Sequence, residues 1–233
     1  MEVGGNDGIL NSNTFHFELL GWRTLLVEPI PELCAKIRAH RPAATVVECA
    51  ASNRPGSCQF RVAGGVDGMS TMLDDPAHLR SIHREGGTLT EITVPTRTLD
   101  DILATEGAPA VDFLTIDVEG AEMLVLGGLT LSRWKPRVMI IEDNSFGRDH
   151  AIIDYLRSHG YVNFHRTVVN DWFAAEGDQE ILVCFNAAAF RRRRRWLPWH
   201  HRAKVIATAV LPPPVLRLVK RLVGAAPFSA AAE

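Results

Sequence analysis

The chain has 233 residues, 46% of them hydrophobic, and a mean hydropathy of +0.02, enough apolar mass for one α/β domain with a tail and too much for a wholly disordered protein. The net charge of −2 hides an uneven split: ten of the 25 Lys and Arg follow Asn186 against one acid, Glu233, and the chain before that point carries fifteen bases against twenty-six acids. That asymmetry divides the chain into a body, residues 1–186, and a basic tail, residues 187–233, with different partners. Cys34, Cys49, Cys58 and Cys184 form no C-x-x-C pair and have no His at metal-ligand spacing, which argues against a zinc site or a disulfide framework and fits a reducing, cytoplasmic compartment. No secretory leader and no membrane-spanning apolar run are expected.

In chain order, Met1-Glu2-Val3 reads as the end of a strand running into the turn Gly4-Gly5-Asn6-Asp7-Gly8. A helix is predicted over 13–20, a strand over 24–27, a helix over 31–40 with Pro at its start, and a strand over 45–49. Strands over 58–62 and 91–95 flank a Gly-, Asp- and His-rich loop. A short helix covers 98–105, a buried strand 112–116, and a helix 121–126 stopped by Gly127-Gly128. A second buried strand covers 137–141, a helix 149–159, and two last strands 161–165 and 180–185, which are expected to form an antiparallel hairpin. Short apolar strands alternating with helices predict a mostly parallel sheet covered on both faces.

In such sheets ligands bind where strands end, and three strand ends here are acidic or glycine-rich. The first turn lacks the G-x-G-x-x-G spacing of a dinucleotide site. Asp7 would repel phosphate and suits a cationic ligand with an amino-acid moiety, such as the methionyl part of S-adenosylmethionine. Glu28, at the next strand end, offers two oxygens that match a ribose diol. Asp117-Val118-Glu119-Gly120-Ala121-Glu122 closes the third, where a carboxylate can contact the donor, orient or deprotonate an acceptor hydroxyl, or cap the following helix.

Those segments, together with Ser12-Asn13-Thr14, Gly21-Trp22, Val27-Glu28-Pro29, Ala50-Ala51-Ser52 and Leu99-Asp100, resemble in this order the FkbM family of methyltransferases, from Met1 to about Phe185. The resemblance implies a class I methyltransferase Rossmann-like sheet, S-adenosylmethionine as donor, and O-methylation of a sugar, glycolipid or polyketide-type product. It implies that Gly4, Asn6, Asp7 and Gly8 line the methionyl end, with Glu2 and Asn13 from the matching segments counted among the donor-binding residues. Glu28 would hold the ribose, Ala50 and Ser52 would lie beside the adenine, and Asp117 would lie near the sulfonium and the acceptor. Members carry more chain ahead of the first motif; here it begins at residue 2, so a short central strand is expected.

Asp117, Glu119 and Glu142 are the catalytic candidates, with His150 as a further base and His78 and His83 as a weaker pair. Asp117 with Asp143 and Asn144 would suit Mg²⁺ or Ca²⁺; the family does not require a metal and none is expected. The loop Gly64 to Met72 reads as a lid or as a surface loop. In the tail, Arg191 to Arg195, Trp196, Trp199 and the basic amphipathic stretch Val215 to Val223 suit peripheral contact with an anionic membrane through 191–223, ahead of nucleic acid. Two other readings stay open: a nicotinamide-dependent oxidoreductase, and a catalytically weak scaffold with this fold that the tail recruits to membrane.

Overall fold

The computed structural model describes residues 1–66 and 68–184. The tail, with the Arg run and the boundary at 186, lies outside the described residues. The elements are β1 (Glu2–Val3), α1 (Phe15–Leu19), β2 (Leu25–Glu28), α2 (Pro31–His40), β3 (Thr45–Glu48), β4 (Ala50–Ala51), β5 (Gly56–Gly64) and α3 (Pro76–Arg84). They continue with β6 (Thr88–Arg97), α4 (Leu99–Thr105), β7 (Phe113–Ile116), α5 (Glu122–Leu126), α6 (Leu131–Trp134), β8 (Val138–Glu142), α7 (Ala151–Ser158), β9 (Tyr161–Thr167), β10 (Asn170–Ala175) and α8 (Gln179–Cys184).

Seven strands form one sheet in the order β3-β2-β1-β7-β8-β10-β9, parallel from β3 to β8 with β10 reversed between β8 and β9. The expected α/β fold, a mostly parallel sheet with an antiparallel hairpin at one edge, is therefore present. β4, β6 and β5 make a second, three-stranded sheet.

Successive residues of a strand point to opposite faces, and both faces of the large sheet are covered. Met139 and Ile141 of β8 join Val3, Val27, Leu114 and Ile116 in the core under α4, α5 and α7. Val138 and Ile140 point the other way, toward Phe17, Phe113 and Trp172. This is why β7 and β8 read as unbroken apolar runs rather than alternating ones. No helix among the described residues is long and apolar enough to cross a membrane.

The strand order reverses between β1 and β7, which is where a ligand crevice opens in a doubly wound sheet. β1 has only two residues, and pairing with β7 extends through Met1, whose carbonyl accepts from Thr115 N (3.0 Å). At its exit Gly4 has φ +86°, and a Cβ there would lie 1.8 Å from the Asp117 carbonyl oxygen. Only glycine lets the two chains pass.

Several sequence expectations are corrected. Residues 180–185 were expected to be the last strand; Gln179–Cys184 is α8, and Asp178 accepts from Ile181 N (3.2 Å) and Leu182 N (3.1 Å) to start it. The hairpin partner of β9 is β10, joined by the two-residue turn Val168-Val169 with Val168 at φ 56°. That turn lacks the Asn-Gly or Gly residues that announce such hairpins. The middle loop contains α3, opened by Asp75, which accepts from Ala77 N, and by Pro76 at its first position. β4 and α6 were not anticipated.

One buried cation ties the opening of the chain together. Arg41, at the end of α2, has no exposed surface. It donates to Glu2 of β1 (3.4 Å), Glu18 of α1 (2.9 Å), Ser12 Oγ, Thr14 Oγ1 and the Gly8 carbonyl. Glu2 in turn accepts from Asn13 N (2.9 Å), Ser12 Oγ and Thr14 Oγ1. Replacing Arg41 by Met strands the buried carboxylate of Glu2 and the partly buried one of Glu18 and is expected to cost roughly 3–5 kcal/mol, read as a fall of about 10 °C in Tm by calorimetry or circular dichroism.

Candidate functional site

At the carboxyl ends of β1, β2, β7 and β8 the described residues enclose a cavity of about 860 Å³, within the usual range for a small-molecule site. Its lining includes five carboxylates, Glu2, Glu28, Asp117, Glu119 and Glu142, and no Lys or Arg.

Each acid is placed by its strand. Glu28 ends β2 and is buried; its two oxygens accept from Asn6 N (3.0 Å) and Ile30 N (3.0 Å), which leaves further lone pairs for a ligand. Burial pushes its pKa up to about 7 against the pull of those two N–H groups. Asp117 follows β7 and shares a hydrogen bond with Glu142, the last residue of β8. Glu119 has φ 55°, a left-handed backbone uncommon outside Gly, Asn and Asp.

Burial first, then the charges of Asp117 and Glu122, raise Glu119 to about 8. Burial and then the repulsion of Asp117, Glu119 and Glu122 drive Glu142 far above the ordinary carboxyl range, and burial raises Asp117 as well. Glu122 accepts from Gly120 N (3.0 Å) and Val118 N (3.3 Å), so it braces the turn from which Asp117 and Glu119 project. Among the described residues no Lys or Arg lines the cavity beside this cluster, so burial and mutual repulsion favour its protonated forms.

The structure thus gathers all three catalytic candidates, Asp117, Glu119 and Glu142, at one end of the cavity, with ligand oxygens within 4.8 Å of one another. That trio could hold a proton, a cationic ligand or an oxygen-seeking divalent ion. The metal set considered from sequence does not assemble. Asp143 turns to Arg166 (2.6 Å) and to Ser145 N and Gly147 N, and although burial opposes it, these bonds hold its pKa down to about 2. Asn144 donates to Glu142 (2.9 Å).

Of the residues expected to bind the donor, Glu2, Gly4, Asn6, Asn13 and Ala50 line the cavity beside Glu28 and Asp117, although both Glu2 oxygens are already engaged by the protein. Asn13 also reaches Thr115 Oγ1 (3.3 Å) on β7. Asp7, Gly8 and Ser52 are not in the lining. Asp7 accepts from Ile9 N and Leu10 N and so shapes its own turn. A Cβ on Gly8 would press on Arg41 and Ile37, which makes that glycine a packing requirement. Ser52 is buried and its N–H donates to the Arg97 carbonyl.

His150 bonds the Gly147 carbonyl and His78 the Met69 carbonyl, and neither they nor His83 line the cavity. From the suspected lid, Gly68, Ser70 and Met72 line it, and Thr71 fastens that segment by donating to the Glu119 carbonyl (3.0 Å). The sequence reading missed an apolar wall of Ile30, Leu33, Ala51 and Phe60, and it missed Val169 and Asn170. The wall was foreshadowed by Ile30 beside Glu28-Pro29. Val169 belongs to the hairpin turn that carried no turn signal, and Asn170 opens β10 directly after it.

Comparison with known proteins identifies the family. The family model for the FkbM methyltransferase domain matches residues 2–162. The 31-O-demethyl-FK506 methyltransferase FkbM of Streptomyces tacrolimicus is 30% identical over 187 residues, which covers 69% of this chain and 71% of that protein. No solved structure matches the chain.

A carboxyl raised above its unfolded value disfavours the folded chain increasingly as pH climbs from the ordinary 4.5 toward the raised value. Glu142→Gln keeps an acceptor for Asn144 and a partner for Asp117 while removing that penalty. Thermal denaturation is expected to show little difference from wild type near pH 4.5, and a Tm about 5 °C higher for the variant at pH 8. A lower Tm for the variant at pH 8 would refute the crowding of charge at this site.

Proposed function

Because this chain belongs to the FkbM methyltransferase family, we propose that it is an O-methyltransferase that uses S-adenosylmethionine and acts on a hydroxyl of a sugar, glycolipid or polyketide-type molecule. The observation that carries the reading is a cavity at the strand ends lined by five carboxylates without a Lys or Arg. Such a lining repels the pyrophosphate of a nicotinamide cofactor and favours a cationic nucleoside.

The residues present fit that donor. Glu28 retains lone pairs for a vicinal diol, and Ala50, Ala51, Ile30 and Phe60 give an apolar wall suited to adenine. Gly4 and Asn6 bring backbone close to the cavity, and Asn13 supplies an amide beside them. When bound, S-adenosylmethionine supplies the methyl group. Asp117, Glu119 and Glu142 then have two tasks: they offset positive charge, and one of them accepts the proton of the attacking hydroxyl. A sugar or alcohol hydroxyl is a poor nucleophile at neutral pH, so a base at the reacting oxygen is needed. The relative from Streptomyces tacrolimicus, whose name gives a 31-O-demethyl compound as acceptor, supports oxygen as the methylated atom.

Titration calorimetry with S-adenosylhomocysteine is expected to show binding by the wild type, at least about tenfold weaker binding by Glu28→Gln, and none of NAD. Binding of the product by a protein that methylates nothing in a panel of sugars, glycolipids and macrolides would favour the scaffold reading.

The raised carboxyls give a second expectation. A cation beside Glu119, Glu142 and Asp117 binds best when they are ionised, so affinity rises as pH passes the raised values, about 8 for Glu119. S-adenosylmethionine and S-adenosylhomocysteine share ribose, adenine and amino-acid contacts, so their affinity ratio isolates the sulfonium. That ratio is expected to climb by about tenfold between roughly pH 6 and pH 9. A flat ratio would mean that the sulfonium lies away from these acids.

A further inference from the structure

The large apolar side chains exposed among the described residues are Ile9, Leu10, Leu19, Met123, Phe146, Val162 and Val168. Five of these seven lie at the carboxyl edge of the sheet, around the cavity. Ile9, Leu10 and Leu19 line it, and Leu19 is 69% exposed. Phe146, 63% exposed, stands in the loop that follows β8 four residues after Glu142. Val168, 73% exposed, precedes Val169 and Asn170, which line the cavity. Arg166 fastens these two loops to each other by donating to the carbonyls of Asp143 (3.1 Å) and Val168 (3.3 Å).

Both exposed residues sit on left-handed backbone, Phe146 at φ 57° and Val168 at φ 56°. For a bulky or β-branched residue this conformation is strained, and Asn or Gly would take either turn more easily. The turns themselves do not call for apolar side chains.

The sequence adds an independent observation. Outside the described residues, 187–233 combine Arg191 to Arg195 with Trp196, Trp199 and the alternation of aliphatic and basic residues from Val215 to Val223. Arginine attracted to negative charge, tryptophan at the headgroup level and a basic aliphatic stretch are the chemistry of an anionic lipid surface.

We infer that the cavity mouth docks on an anionic bilayer, with Ile9, Leu10, Leu19, Phe146 and Val168 as the rim that enters the interface and the basic C-terminal segment as the electrostatic anchor. The acceptor hydroxyl then reaches Asp117, Glu119 and Glu142 from a membrane-borne amphiphile, so among the acceptors named above a glycolipid headgroup is favoured. This last step rests on the methyl-transfer reading; the docking does not.

Flotation of the full-length chain with phosphatidylcholine vesicles, with and without about 30% phosphatidylserine, tests it. The chain is expected to float with the anionic vesicles and far less with the neutral ones. Phe146→Asn with Val168→Asn, both suited to left-handed backbone, is expected to cut the bound fraction at least about fivefold and to leave S-adenosylhomocysteine binding unchanged. Glutamine at Arg191 to Arg195 is expected to cut it similarly, as is raised salt.

The inference is overturned if the Asn double variant floats like the wild type, or if the chain ignores both vesicles. Loss of vesicle binding by the Arg variant alone would overturn the rim while keeping a basic anchor. Failure of the wild type to bind S-adenosylhomocysteine would sink the donor reading and leave the flotation result standing, so the two can fail separately.

Discussion

The buried Arg41 guanidinium divides the acids at the carboxyl edge of the sheet into two groups. Glu2 and Glu18 lie within its reach, and together with Ser12, Thr14 and Gly8 they form a network in which each buried charge has a partner. Glu28, Asp117, Glu119 and Glu142 have no such cation among the described residues, and each is raised above its ordinary pKa. Burying an unpaired carboxylate is costly. The fold concentrates that cost in one cavity, and a ligand that brings positive charge relieves it.

The neutralised half makes the open half usable. Pinning Glu2 fixes the segment from Ser12 to Thr14, places Asn13 beside Thr115, and sets where α1 begins. The turn after β1 is thereby held against the end of α2, where His40 bonds the Asp7 carbonyl and Gly8 packs on Ile37 and Arg41. With only two residues in β1, the site's entrance depends on this polar network more than on strand pairing. On the other side, Asp143 does for the β8 end what Arg41 does for β1. Its pairing with Arg166 withdraws one acid from the cavity and ties the loop after β8 to the β9–β10 turn.

Glu119 and Val168 illustrate two uses of strained backbone. At Glu119 a left-handed conformation aims a carboxylate into the cavity, held by Thr71 on its carbonyl and by Glu122 on the N–H groups around it. At Val168 the same conformation presents an aliphatic side chain to the outside. In both places Asn or Gly would sit more easily on the backbone.

The sequence by itself determined the alternation of strands and helices, the parallel sheet covered on both faces, and the three acidic or glycine-rich strand ends that carry Glu2, Glu28 and Asp117. Each of these follows from local pattern: apolar runs such as Phe113 to Ile116, Pro31 opening α2, Thr98 capping α4. Only the tertiary structure decided which acids remain free. Nothing local distinguishes Glu142 from Asp143, yet successive residues leave a strand on opposite sides, and one meets Asp117 while the other meets Arg166. Nor does local pattern reveal that Gly8 packs on Arg41 rather than facing a ligand, that Val168-Val169 turns a hairpin, or that 179–184 coil after Asp178. Those outcomes are set by partners distant in the chain, whose charge and volume override what the neighbouring residues would do alone.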